Sequence, residues 1–169
     1  YFLLGKYNNF TGKFHEAYKY YNKCIENNSS FKEAHFELLD LYERTNRIEE
    51  LEKILQIIFD TSNDIDPKTH YYKSLLLNRK NFYEKSQKII DKNDLESKFS
   101  ENKEYYIKIL NLKSKNLEKL KEYTNAINTI KKRNIYLSKL QEYQPIKKEN
   151  ITNTVYNYKE IYTKKNLNH

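Results

Sequence analysis

Apolar residues recur along this chain at intervals of three and four, and that spacing constrains the fold more than any other feature. Leu38, Leu41 and Tyr42 form one such stripe, and Leu51, Ile54, Leu55 and Ile58 form another. Tyr106, Ile109 and Leu110, then Tyr123, Ile127 and Ile130, repeat the pattern. An α-helix brings residues at these offsets onto one face, where they can be buried together. No stretch alternates with the period of two that a half-buried strand requires. Glycine and proline, which punctuate strands and hairpins, number two each in 169 residues. Helices joined by short polar turns are what remains. Polar breaks are expected at residues 27–30, 45–47, 61–67, 79–81, 92–94, 113–116 and 144–148. Pro67 follows Asp64, Ile65 and Asp66, an acidic lead into a helix whose first turn tolerates proline.

The turns repeat as well. Gly12-Lys13-Phe14-His15-Glu16-Ala17 aligns with Asn46-Arg47-Ile48-Glu49-Glu50-Leu51. It also aligns with Lys80-Asn81-Phe82-Tyr83-Glu84-Lys85-Ser86 and with Lys121-Glu122-Tyr123-Thr124-Asn125-Ala126. Ala17 to Leu51 is 34 residues, Leu51 to Ser86 is 35, and Ser86 to Ala126 is 40, so an insertion is expected near residues 94–102.

A two-helix unit of this length resembles the tetratricopeptide repeat. The first unit carries the resemblance best, through Tyr1, Leu4, Gly5, Ala17 and Tyr21. The second keeps Leu38, Tyr42 and Leu55, with Leu39 at the glycine position and Leu51 at the alanine position. Phe82, Ser86, Tyr123 and Ala126 continue the signature. The resemblance implies an all-α solenoid of stacked helical hairpins, a right-handed superhelix with divergent repeats and a C-terminal capping helix. The array is expected over residues 1–134, with hairpins at 1–29, 31–61, 67–93 and 102–134. Residues 135–169 are expected to form a helical extension, a capping helix through Ile151, Val155, Tyr158 and Ile161, and the start of a linker. Within the first hairpin, Gly5 and Ala17 are expected to face each other, with Leu4, Phe14 and Tyr21 closing the gap. Gly12 is expected to supply a left-handed turn residue.

Catalytic chemistry is not expected in this segment. His15, His35, His70 and His169 make no helical pair with another ligand residue that would hold a metal. Glycine-rich phosphate loops are absent, and Glu49-Glu50 and Asp64/Asp66 fall at helix starts, where carboxylates act as caps. The lone Cys24 excludes an internal disulfide and is expected to be buried on the second helix. Neither a metal nor a cofactor is therefore expected. No apolar run reaches the roughly 18 residues of a membrane span. A single cysteine suits a reducing compartment, and the cytoplasm is the expected location.

Binding is the remaining class. The net charge is +8, unevenly spread: residues 1–85 carry 13 Lys/Arg and 13 Asp/Glu, and residues 86–169 carry 18 and 10. An acidic partner would be felt by the second half. Lys131-Lys132-Arg133, Lys147-Lys148 and Lys164-Lys165, interleaved with Tyr136, Tyr143, Tyr156 and Tyr158, make residues 131–165 an alternative basic face for nucleic acid or another acidic ligand. Lysine and tyrosine are abundant throughout, however, which weighs that face toward simple solvation. The resemblance implies a concave groove lined by the first helix of each hairpin. Its candidate residues are Phe2, Lys6, Asn9, Phe36, Asp40, Glu43, Tyr71, Leu75 and Asn78, a mixture suited to a peptide or protein segment. Some members of the family clamp a terminal carboxylate there; Lys6 and Asn9 match that pattern, while Leu75 stands where a cation is needed.

The chain begins at Tyr1 in an apolar run and is expected to be part of a longer protein. Divergent repeats, a Lys- and Tyr-rich helical stretch and a helix ending in KEIYTKKNLNH also resemble the amino-terminal region of bacterial repeat-containing sulfotransferases. That resemblance implies a scaffold beside a catalytic domain that uses phosphoadenosine phosphosulfate, with that domain a possible intramolecular partner. A freestanding adaptor is the other expectation.

Overall fold

A computed structural model of the chain describes residues 1–61 and 65–142. Among these residues there are nine helices and no strand. They are α1 (Phe2–Phe10), α2 (Phe14–Asn27), α3 (Lys32–Arg44), α4 (Ile48–Thr61), α5 (Pro67–Arg79), α6 (Tyr83–Lys92), α7 (Leu95–Lys98), α8 (Lys103–Lys119) and α9 (Tyr123–Glu142). One compact unit spans Tyr1–Thr129, and a second begins at Ile130. In the second unit the described residues continue α9, with Ile135 exposed. The expected capping helix and linker, and most of the basic stretch 131–165, lie outside the described residues.

One local device reverses the chain four times. Gly12, Asn46, Asn81 and Lys121 take left-handed angles, φ 77°, 56°, 64° and 63°. The N–H of each donates to the carbonyl three residues back, at 3.0–3.2 Å. The next N–H donates to the carbonyl five back, at 2.8–2.9 Å. This paired bonding satisfies carbonyls that a helix end otherwise leaves free. A Cβ added at Gly12 would meet nothing within 4 Å, so the demand there is conformational. Asparagine tolerates the same angle at Asn46 and Asn81. The four turns are 34, 35 and 40 residues apart, and α7, entered through left-handed Asp94, occupies the longer interval.

Small residues set the closest helix crossings. A Cβ on Gly5 would lie 2.5 Å from Cε1 and 2.6 Å from Cδ1 of Tyr21. The aromatic ring, rather than the Ala17 methyl, therefore lies nearest Gly5, which corrects the expected facing pair; Ala17 itself is fully buried. The third hairpin solves the same crossing with two serines. Ser74 and Ser86 are fully buried. Ser74 Oγ donates to the Ser86 carbonyl at 2.9 Å, and Ser86 Oγ donates to the Ser74 carbonyl at 2.8 Å.

Leu38, Tyr42, Leu51, Leu55 and Ala126 are buried as well. Leu4, Phe14, Phe82 and Tyr123, expected in the packed signature, are exposed. Phe14 and Tyr123 each open a second helix immediately after the turn, outside the crossing. Phe82 follows Asn81 directly, so it takes the place of Lys13, Arg47 and Glu122; Tyr83 is the true counterpart of Phe14. Of the three residues expected to close the gap at Gly5, Tyr21 does so, while Leu4 and Phe14 stay exposed. The break expected at residues 113–116 is the interior of α8. Its polar run is accommodated because Asn116 is buried and bonded, its Nδ2 donating to Ser86 Oγ at 2.8 Å.

Two histidines tie this core to pH. His35 is buried; its Nδ1 donates to the Phe31 carbonyl at 3.2 Å, and its Nε2 has no partner. Burial lowers its pKa, partly offset by that bond. Burial, then Lys98 and Lys73, lower the pKa of His70. Both side chains bind a proton more readily when unfolded, so stability is full above about pH 6.5 and falls as the pH drops toward the lowered folded values. The urea midpoint should decrease on acidification through that window, and His35→Gln should flatten the decrease. A midpoint independent of pH would contradict the burial of His35 and the partial burial of His70.

Candidate functional site

The turn residues give the groove candidates a common register. Phe2, Lys6 and Asn9 lie ten, six and three residues before Gly12; Phe36, Asp40 and Glu43 stand likewise before Asn46, and Tyr71, Leu75 and Asn78 before Asn81. Continued into α8, the register reaches Lys115 and Glu118 before Lys121. Those two are missing from the sequence-derived set, and the turn spacing is the signal that finds them.

The middle of this surface is closed by the chain's own side chains. Lys108 Nζ on α8 lies 2.9 Å from Asp40 Oδ1, 3.7 Å from Glu43 Oε2 and 2.9 Å from Glu104 Oε1. Burial alone would lower its pKa; hydrogen bonds to Asp40 and Glu104, with the charges of Asp40 and Glu43, outweigh that and raise it. Lys108 is therefore a cation held between helices. Tyr71 is 2% exposed, and its OH donates to Glu43 Oε1 at 3.0 Å. The phenols of Tyr72 and Tyr105 meet at 3.2 Å. Burial, followed by nearby charge, raises the pKa of Tyr71 and Tyr72, and burial pushes that of Tyr105 up to about 12. All three are neutral near pH 7. Asp40, Glu43, Tyr71 and Leu75, expected to line an open groove, instead pack and pair here, because α8 reaches across α5 to α3.

The remaining candidates are also engaged. Phe2 packs on Phe31 and Tyr21, with ring centroids 4.9 and 6.0 Å away. Exposed Lys6 lies 3.8 Å from Glu37, and Asn9 Oδ1 accepts from Arg44. Lys68 Nζ sits 5.3 Å from the Phe36 ring centroid. Asn78 Nδ2 donates to Asn116 Oδ1 at 2.7 Å.

A cavity of about 380 Å³ stays open beside Asn78, between the ends of α5 and α8. Asn78, Arg79 and Asn81 line one side, and Lys115, Glu118 and Lys119 the other. Tyr83 completes it, its OH donating to Asn81 Oδ1 at 2.6 Å. Three cations thus face one carboxylate. Among the described residues none of Arg79, Lys115 and Lys119 forms an ion pair. Arg79 and Lys119 occupy the last turns of their helices, where exposed carbonyls favour positive charge. Cys24 is free and buried. Among the described residues no cluster of His, Cys, Asp and Glu is placed to hold a metal ion, and no helix is long and apolar enough to cross a membrane.

Four like turns, paired helices and a surface built from the first helix of each pair define an all-α, tetratricopeptide-repeat-like solenoid of helical hairpins. Residues 1–31 match the family model of the tetratricopeptide repeat. No curated protein and no solved structure gives a significant match. Repeats of this type generally mediate protein–protein interaction.

Proposed function

We propose that this chain is a non-catalytic docking module that holds an acidic peptide or protein segment in the cleft between α5 and α8. The reading rests on one observation: a cavity of about 380 Å³ on the first-helix surface whose three cations face a single carboxylate. Carboxylates of an extended segment would meet Arg79, Lys115 and Lys119, while the amides of Asn78 and Asn81 would serve its backbone. The likeness in arrangement to bacterial repeat-containing sulfotransferases suggests one setting for such a module, beside a catalytic domain that holds phosphoadenosine phosphosulfate.

A fluorescein-labelled Asp/Glu-rich peptide should bind the chain more weakly as salt rises. Its Asn/Gln counterpart should bind at least about tenfold less tightly, a difference of about 1.4 kcal/mol. The double variant Arg79→Glu, Lys115→Glu should lose the preference for the acidic peptide while keeping its helical circular dichroism. Equal affinity for both peptides, or an unaffected double variant, would overturn the assignment.

A further inference from the structure

A cation stands two residues before three of the four turns: Arg44 in α3, Arg79 in α5 and Lys119 in α8. The residue one helical turn earlier differs among them. In α3 it is Asp40, whose Oδ2 lies 3.2 Å from Arg44 Nε. In α5 it is Leu75, and in α8 it is Lys115. The positive charge is kept, while its counter-ion on the same helix gives way to a neutral residue and then to a second cation. Lys115 and Lys119, four apart on one helix, repel each other. Glu118 pairs with neither among the described residues. Elsewhere on α8 the lysines are neutralised, Lys108 by Asp40 and Glu104 and Lys113 by Glu96. The unpaired cations are therefore confined to the cleft.

The amides beside them are held in opposite senses. Asn78 Nδ2 donates to Asn116 Oδ1 at 2.7 Å, and Asn116 is fully buried. Asn81 Oδ1 accepts from the Tyr83 OH at 2.6 Å. Asn78 is left to accept through its oxygen and Asn81 to donate through its nitrogen, which suits the N–H and C=O of a peptide unit. The occupant of such a site is a polypeptide.

Its anion follows from the charge. Arg79, Lys115 and Lys119 share a cavity of about 380 Å³ with one carboxylate, an excess of two positive charges. One ligand carboxylate brings a single charge and two oxygens. A phosphomonoester brings a charge of about −1.5 to −2 and three strong acceptor oxygens on one side chain, and a guanidinium can meet two of them at once. We propose that the cleft between α5 and α8 takes a segment bearing one phosphorylated serine or threonine, with Arg79, Lys115 and Lys119 around the phosphate; this rests on the acidic-segment reading of the same cleft and names the anion it selects.

Fluorescence anisotropy of the full chain with peptides of one neutral sequence tests this, the central position being serine, phosphoserine, aspartate or two successive aspartates. The phosphoserine peptide should bind at least about tenfold more tightly than the single-aspartate one, and the serine peptide most weakly. Arg79→Gln, Lys115→Gln should erase the preference for phosphoserine with unchanged circular dichroism, since both side chains are exposed. A phosphoserine peptide no tighter than either aspartate form, while the Asp/Glu-rich peptide still binds, overturns this proposal and leaves the acidic-segment reading standing. Phosphoserine binding that the double variant does not change overturns both. Complete displacement of the phosphopeptide by an equimolar single-stranded oligonucleotide, whose phosphates carry one charge each, overturns the choice of a polypeptide.

Discussion

Truncating Tyr21 to alanine should destabilise the chain by about 3–5 kcal/mol, the range seen for large buried aromatic rings. The ring is fully buried. It lies against Gly5, and its OH donates to Glu37 Oε2 at 3.2 Å, so one side chain joins α1, α2 and α3. Adding a methyl group at Gly5 attacks the same contact from the other side. The new Cβ would stand 2.5 Å from the ring, and a fully enclosed ring has no free space to swing into. Gly5→Ala should therefore cost about 1–3 kcal/mol by overpacking. The two losses should not add. Once the ring is gone the methyl enters the space it leaves, so the double variant should be more stable than the sum of the single effects predicts. Urea unfolding of all four proteins measures this. Additivity within about 0.5 kcal/mol would show that Gly5 and Tyr21 do not touch.

What could be read from the sequence, and what could not, follows from how far apart the interacting residues lie. Helix faces are local, so Leu38, Tyr42, Leu51 and Leu55 were identifiable as core from spacing alone. Turns are local too: Gly12, Asn46 and Asn81 carry the residue types that accept a left-handed angle. Lys121 does not, yet it turns the chain in the same way. The block that follows it, Glu122-Tyr123-Thr124-Asn125-Ala126, rather than its own chemistry or the spacing of the other three, marks it. Packing across hairpins is where local pattern stops. Lys113 to Asn116 reads as a polar break because the partners of Asn116, Ser86 and Asn78, lie some thirty or more residues earlier. Asp40, Glu43 and Tyr71 read as an open lining because Lys108 is 68 residues from Asp40. An aromatic beside a turn, such as Phe14 or Tyr123, has the composition of core and the position of surface.

Lys108 carries the second large effect. Lys108→Met keeps the apolar stem that packs in the interior and removes the charge. Asp40 and Glu43 are then left close together with fewer counter-charges. Breaking a fully buried pair costs about 3–5 kcal/mol. The cost here should be nearer 2 kcal/mol, because Asp40 keeps Arg44 at 3.2 Å and Glu43 keeps the Tyr71 hydroxyl at 3.0 Å. Lys108→Arg should recover much of the loss, since a guanidinium can span two carboxylates. Equal losses in both variants would mean that the fit of the ammonium, not its charge, is what matters. The combination Lys108→Met, Asp40→Asn should be less destabilised than the sum of its parts, because the second change removes one of the charges that the first leaves unpaired. The consequence for binding runs in the opposite direction. With Lys108 gone, two carboxylates on the first-helix surface lack their internal cation. A Lys/Arg-rich peptide that wild type ignores should then bind to α3 and α8, while the acidic peptide held by Arg79 and Lys115 is unaffected. Lys108 would then be doing within the chain what a ligand's cation would otherwise do, and under the proposed function its presence would leave the open part of this surface to select negative charge.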